Sequence, residues 1–406
     1  MSWPVENVEH LRMDFVMIAR EPEVNKSEAC RRFKISRKTG YKWLRRYEAG
    51  GLAALVDGNR RPLACPLRVS GDVVVELVRL RNKHEYRGPK KLRAMLLRQG
   101  YSPDEVPSLT TIGRILRRSG LSKAKGRGRP PKQLPTGPLS SAQEPNAVWT
   151  VDLKGWWRVG DGSRCEPLTI RDLYSRFLFC LRPVARHRTE EVMAVFEEVF
   201  EHYGLPDIIR SDNGPPFASI TGPCGLTRLS AWWRILGIKL ERIDPGHPEQ
   251  NGGHERMHGD LAREVESRPA ATVAEETLRL ERWRIEFNLE RPHEALGMKV
   301  PGEVYHPSSR KLRDVKPCVY PLGFERRRVR RDGCILLRGQ TVYLSEALGK
   351  QDVGLERLSE TGWRIWFCDL VVGEICWDGA GFTRRPATEA RPSSPQNCNP
   401  CPDNKV

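Results

Sequence analysis

The chain has 406 residues, 39% of them hydrophobic, with 68 Lys+Arg against 51 Asp+Glu and a formal charge of +17 at neutral pH. This length suits two to four domains with ordinary cores. No apolar run reaches the roughly 18–20 residues that a membrane span needs, and charges break up Met1–Arg20, so neither a membrane span nor a signal peptide is expected.

The charge is unevenly placed. Residues 1–140 hold 30 basic and 13 acidic side chains, whereas the remaining 266 residues hold 38 of each. A basic part joined to a neutral part suggests a polyanion-binding region fused to something else. The 11 cysteines follow no framework spacing, which points to reduced thiols in a cytoplasmic protein. Cys398-x-x-Cys401 is a single pair in a tail of Pro, Ser and Asn, and one pair cannot complete a zinc site.

In chain order, residues 1–62 read as a helix-turn-helix domain. Ser27 is placed to cap a helix through Ala29, Cys30 and Phe33. Ser36 is placed to cap a second one through Tyr41, Trp43, Leu44 and Tyr47 that Gly50-Gly51 stops. In this layout the start of the second helix meets base edges and flanking cations meet phosphates. Arg37, Lys38, Lys42, Arg45 and Arg46 are the DNA-contact candidates.

Residues 63–122 read as a second helical, helix-turn-helix-like DNA-binding unit. It holds an amphipathic stretch Val73–Lys83, a helix opened by Gly88-Pro89, and a helix capped by Ser108 that exposes Arg114, Arg117 and Arg118. Residues 123–143 form a basic linker whose Arg127-Gly-Arg129-Pro resembles a minor-groove hook. Residues 144–306 change pattern to three strands, a helix, a strand, a helix, a strand and closing helices, a mixed α/β layer. Residues 307–386 are basic and strand-rich, which suggests a small β-barrel, and residues 387–406 should be disordered.

Three acids stand out. Asp152 lies mid-strand opposite Trp149, Val151 and Leu153; Asp212 follows the strand Ile208–Ser211 directly; Glu255 lies early on a helix after Gln250-Asn-Gly-Gly253. Carboxylates at strand ends and on a neighbouring helix can converge, and their oxygens suit hard cations such as Mg²⁺ or Mn²⁺. Each acid also has an ordinary role open to it, as an ion-pair partner, a turn former or a solvated helix residue.

Four stretches resemble the catalytic core of retroviral-type integrases and the bacterial insertion-sequence transposases related to them. They are Trp149-Thr-Val-Asp152-Leu, Arg171-Asp-Leu-Tyr-Ser-Arg176, Arg210-Ser-Asp-Asn-Gly-Pro-Pro-Phe217, and His247-Pro-Glu-Gln-Asn-Gly-Gly-His-Glu-Arg-Met-His258. The resemblance implies a ribonuclease-H-like core over 144–306, with Asp152, Asp212 and Glu255 as an Asp-Asp-Glu site for two Mg²⁺ ions, Mn²⁺ substituting. It also implies double-stranded DNA partners, a homo-oligomer on DNA, a place beside the bacterial nucleoid, and Asn213, Arg256 and His258 as residues supporting the acids or touching DNA. The implied activity is transposition: cleavage at element ends and transfer of the 3′-hydroxyl into target DNA.

One spacing departs from the family. In this chain 42 residues separate Asp212 from Glu255, more than related cores often have, and the shorter spacing lands on Pro248, beside Glu249. The Asn-Gly-x-x-Glu-Arg context favours Glu255, with the surplus placed in the loop Ser219–Thr227. Two other readings compete. His254-Glu255-x-x-His258 spells the zinc-protease helix, but leaves the paired helical units and the charge split unexplained. A non-catalytic DNA-binding regulator needs only the N-terminal units and leaves three carboxylates idle.

Overall fold

The computed structural model describes residues 8–57, 69–122, 139–184, 188–220, 222–244, 248–379 and 381–385. Arg127, Arg129 and the 387–406 tail with Cys398 and Cys401 lie outside these residues. The chain forms two compact units, Met1–Arg68 and Val69–Val406.

The first unit holds helices α1 (Val8–Ala19), α2 (Lys26–Arg32) and α3 (Arg37–Gly50). Ser36 caps α3 as expected, its hydroxyl accepting from Thr39 N, and Gly51 ends the helix at a φ of 64°. The cap of α2 is Asn25, not Ser27: the Asn25 side chain accepts from Ser27 N and leaves Ser27 inside the first turn. Phe15, Val16, Cys30, Trp43 and Leu44 fill the core. Gly40 lets α3 approach closely, since a Cβ there would stand 2.5 Å from Cys30 Sγ and 2.8 Å from Phe15. Arg12 is buried with its guanidinium 3.9 Å from the Trp43 ring centre, donating to Leu55 O and Asp57.

The second helical region has α4 (Gly71–Lys83), α5 (Pro89–Arg98) and α6 (Leu109–Arg118), with Ser70 and Ser108 as caps. It belongs to the same compact body as the α/β core. That core is one five-stranded sheet in the order β5 (Leu178–Pro183), β4 (Pro167–Asp172), β1 (Val148–Leu153), β6 (Ile208–Ser211), β7 (Lys239–Arg242). The first three are antiparallel; β6 and β7 run parallel to β1. A short hairpin, β2 (Trp157–Arg158) and β3 (Arg164–Cys165), leaves the end of β1.

Strand alternation sends Trp149 and Val151 to one face, where they meet α7 (Thr189–Tyr203) and α8 (Arg228–Ile235). Leu178 and Leu181 turn to the other face and pack with Met257 and Leu261 of α9 (Gly252–Leu261) and with Leu280, Trp283 and Phe287 of α10 (Val273–Leu289). Asp152, two residues on from Thr150, therefore points to the α9 side.

After the short helix α11 (Pro301–Val304) the chain makes β8 (Glu325–Arg328), β9 (Cys334–Leu337), β10 (Gln340–Tyr343), β11 (Asp352–Arg357), β12 (Gly362–Phe367), β13 (Leu370–Trp377) and β14 (Phe382–Arg385). The expected barrel is not what forms. Five strands make an open sheet ordered β14-β13-β12-β11-β8, and β9 and β10 form a separate hairpin. The two edges of the sheet do not pair with one another. Its apolar face is instead covered by the hairpin and by Leu226 and Ala231 of the core, so closure is not needed to bury it. Cys318 and Cys368 are joined as a disulfide, which departs from the expectation of uniformly reduced thiols.

Candidate active site

The register of the sheet brings two of the three acids together. β1 and β6 pair in parallel with Thr150 opposite Arg210. Two residues further, that register sets Asp152 opposite Asp212, across a strand spacing of about 4.8 Å. Both lie at the same edge of the sheet because parallel strands end together. The Asp212 turn is tied down by its neighbour: Asn213 Nδ2 donates to Ile243 O at 2.6 Å. One Asp212 carboxylate oxygen, Oδ1, is buried and has no hydrogen-bond partner. A desolvated carboxylate oxygen without a donor is costly unless a cation or another donor meets it.

Helix α9 lies against the same edge. His258 Nε2 is 3.1 Å from Thr169 Oγ1, and Thr169 Oγ1 donates to Asp152 O at 2.9 Å. A threonine hydroxyl has one proton. It goes to the Asp152 carbonyl, so His258 Nε2 carries the proton toward Thr169. His258 Nδ1 then turns a lone pair toward Asp152 Oδ2, 3.7 Å away. Burial, with Lys154 and Arg171 nearby, pulls the His258 pKa down to about 3, so the ring is neutral.

Glu255 precedes His258 by three residues on α9 and is exposed. Among the described residues no three His, Cys, Asp or Glu side chains lie together as a metal-holding group. The structure thus sets Asp152 and Asp212 on neighbouring strand ends, puts His258 beside Asp152, and leaves Glu255 outside a closed cluster. Arg256 is exposed. Glu249 lies in a turn, Pro248–Asn251, whose side chains at 248 and 249 lie outside the described residues.

Two buried groups that pattern reading did not assign a role hold this edge in shape. Arg171 of β4 is fully buried and donates from Nη1 to Gly253 O at 2.7 Å, docking the start of α9 on the sheet. Burial lowers its pKa to about 9, with Arg176 adding to the effect and Asp172 opposing it. Gly253 is required by that approach: a Cβ there would stand 2.4 Å from the Arg171 guanidinium. Asp172 accepts from Asn146 N, Ser175 N and Ser175 Oγ, and Asn146 Oδ1 accepts from Trp149 Nε1. A charged residue inside a wholly buried strand was the sign available in the sequence.

The zinc-protease reading finds no support in this geometry. His254 is wholly buried with Nδ1 3.1 Å from Asn251 Oδ1, and His258 faces Thr169 and Asp152. The DNA-contact candidates divide. Arg37, Lys38, Lys42 and Arg45 are exposed on α3, as are Arg114 and Arg117 on α6. Arg46 is half-buried, 4.9 Å from the Trp43 ring centre, and donates to Val56 O.

The integrase core domain family matches residues 142–248 and again 236–301. Homeodomain-like domain families match residues 10–56 and 39–116. The chain is 26% identical over 234 residues to an uncharacterized 31.7 kDa protein of insertion element IS407 from Burkholderia multivorans, covering 57% of this chain and 79% of that one. It is 25% identical over 256 residues to an uncharacterized 39.2 kDa protein of insertion element IS476 from Xanthomonas euvesicatoria, covering 62% and 70%. The chain is an insertion-sequence transposase with an integrase core. The transposase also aligns with the HTLV-2 integrase catalytic core domain in complex with magnesium, at 16% identity over 41% of this chain and 100% of that one, TM-score 0.31. Its alignment with a simian T-cell lymphotropic virus intasome has 17% identity over 73% and 97% of the two chains, TM-score 0.34. No helix among the described residues of the transposase is long and apolar enough to cross a membrane.

Proposed function

We propose that this transposase cuts DNA strands at the ends of its element and joins the 3′-hydroxyl to target DNA, using Asp152, Asp212 and Glu255 to hold two divalent cations. The observation that carries the reading is the parallel register of β1 on β6, which two residues on would set Asp152 opposite Asp212, together with the orphaned oxygen of Asp212. Mg²⁺, or Mn²⁺ in its place, would supply Lewis-acid activation of the attacking and leaving oxygens when bound. Carboxylates suit such hard cations.

The chain's own residues do the positioning. His258 stays neutral and fixed by Thr169, so it adds no positive charge that would compete for Asp152. Arg171 anchors α9 through Gly253 O and so sets where Glu255 stands. Three carboxylates without a counter-charge repel one another, which is a reason for Glu255 to lie apart and to close only on a cation. The exposed cations of α3 and α6 would hold the element end by phosphate and base contacts. The basic β8 strand would hold target or flanking DNA. Two ends cut together call for a homo-oligomer on DNA, placed at the nucleoid of a bacterial cytoplasm.

The test is strand transfer from an element-end duplex into supercoiled target with Mg²⁺ or Mn²⁺. Asp152→Asn, Asp212→Asn and Glu255→Gln should abolish joining while DNA binding persists, and Glu249→Gln should stay active. An active Glu255→Gln with a dead Glu249→Gln would move the third ligand. Wild-type protein that binds verified ends but never cuts them would restore the regulator reading. Binding itself should weaken by roughly 0.9 log units per log salt for each phosphate neutralised.

A further inference from the structure

Directly after the strand that carries Asp152, the hairpin β2–β3 divides its two tryptophans between inside and outside. Trp157 is buried, 6% exposed, and its indole donates to the fully buried Glu276 of α10 at 2.9 Å. Trp156 is 49% exposed. Arg164 stands 4.3 Å and Arg158 5.7 Å from its ring centre. The hairpin is not loose. Gly160 N and Asp161 N donate to Ala270 O and Ala271 O at 2.8 Å each. Arg158 Nη1 donates to Gly162 O at 2.8 Å.

Trp156 is thus a large flat ring, half in water, with a cation beside it and a rigid mount behind it. Folding alone does not require this. The hairpin is already anchored by Trp157, Val159 and Cys165, and exposing an indole forgoes burial that other tryptophans in the chain obtain. Position narrows the ligand. Trp156 follows Asp152 by four residues, so their Cα atoms are at most about 14 Å apart. The hairpin also leaves the sheet at the edge where Asp212 ends β6. An aromatic face flanked by guanidinium groups is the chemistry that holds an unpaired nucleobase by stacking while the cations meet its phosphates.

We infer that Trp156, with Arg164 and Arg158, is a stacking platform for an unpaired base of the DNA end, opened beside the carboxylates. The inference rests on the transposase acting at DNA ends. It assigns the hairpin a task in substrate positioning: a base drawn out of the duplex onto Trp156 frees the adjoining phosphodiester to reach Asp152 and Asp212. Trp156 is a positioning residue, since it touches a base and not the reacting phosphate.

Equilibrium binding without divalent metal tests this independently of cleavage. The full chain is titrated with an element-end duplex whose terminal bases are mismatched, and with the same duplex closed by a hairpin cap so that no terminal base is free. Trp156→Ala should weaken binding to the open end about tenfold and leave the capped duplex unchanged, which also shows that the variant is folded. Trp156→Phe should retain most of the open-end preference. Equal loss on both duplexes, or no loss on either, would overturn the platform. Wild-type protein that prefers the open end but cuts neither duplex once Mg²⁺ or Mn²⁺ is added would instead count against the transposase mechanism and leave the platform standing.

Discussion

Two three-helix regions precede the core, and each buries one arginine at its centre, but the partners differ. In the first unit Arg12 is satisfied locally by Leu55 O, by Asp57 and by the face of Trp43. In the second, Arg87 reaches 199 residues along the chain to Glu286 of α10 and also toward Glu290 O. Around that buried contact lie Lys83–Glu290, Lys90–Glu294 and Arg98–Glu303. A buried cation needs an acid nearby, and where the acid comes from decides whether a region folds by itself or as part of its neighbour. Lys90 and Arg98 of α5 pair with acids of the core, whereas Arg114, Arg117 and Arg118 of α6 remain exposed. The two regions share a pattern, and only one is built into the catalytic body.

The most disruptive way to probe this difference is Arg87→Met. It leaves Glu286 with Arg291 at 3.5 Å and His84 at 4.0 Å, and should cost about 3 kcal/mol, the low end of the 3–5 kcal/mol for breaking a buried pair. Denaturant unfolding should show the loss in the Val69–Val406 body with the first unit unchanged. A loss shared by both units would show that the Arg12 and Arg87 regions do not fold separately.

Gly40→Ala makes the converse test. The added methyl collides with Cys30 and Phe15 and should destabilise the first unit by about 1–3 kcal/mol, with the midpoint of the larger body unmoved.

Acid should act on the second region and the core joined to it through His84 and His293. Burial, with Arg87 and Lys83 close by and Glu290 opposing, lowers the His84 pKa to about 4. Burial, with Lys91 and Arg291 among the nearby charges, lowers that of His293 to about 3. Both are neutral bases in the fold that accept a proton more readily once unfolded. Stability should therefore be flat above the ordinary histidine value of 6.5 and fall as pH drops from there toward 4. The slope should reach up to about 1.4 kcal/mol per pH unit for each ring. The pH dependence of the unfolding midpoint checks this, and His84→Gln should lessen it by one ring's share, since His293 and His258 keep theirs. A wild-type curve level between the two pH limits would refute it.

The smallest effect compares like with like. Ser36→Ala and Ser108→Ala each remove an N-cap, of α3 and α6, and should cost about 1 kcal/mol apiece. Each loss should appear only in the unfolding of its own region.

Much of the core was legible because its elements carry strong local periodicity. The 3.6-residue apolar pattern is plain in the sequence along α7 and α10. The alternation around Asp152 told which face that side chain would take. The open C-terminal sheet was not legible as such. Strand patterns do not say whether the edges meet, and here the hairpin and Leu226 cover the face that closure would have buried. The strand β14 carries no clear pattern in the sequence because its Phe382-Thr-Arg-Arg385 is short and mostly exposed. Arg171 stood in a recognised stretch without a role, since nothing local tells that a buried guanidinium will reach a carbonyl 82 residues away.

The sequence alone determined most of the helices and strands of the core, where Ser36 and Ser108 start helices, and that Asp152 lies on a strand and Asp212 directly after one, since propensity, capping and alternation act over a few residues. Tertiary structure alone decided that β1 and β6 pair in parallel with Thr150 opposite Arg210, that α9 brings His258 against Asp152, and that the second helical region joins the core. Those outcomes depend on contacts between residues far apart in the chain, whose pairing is chosen by the shape of the whole core and by which buried charges must be met.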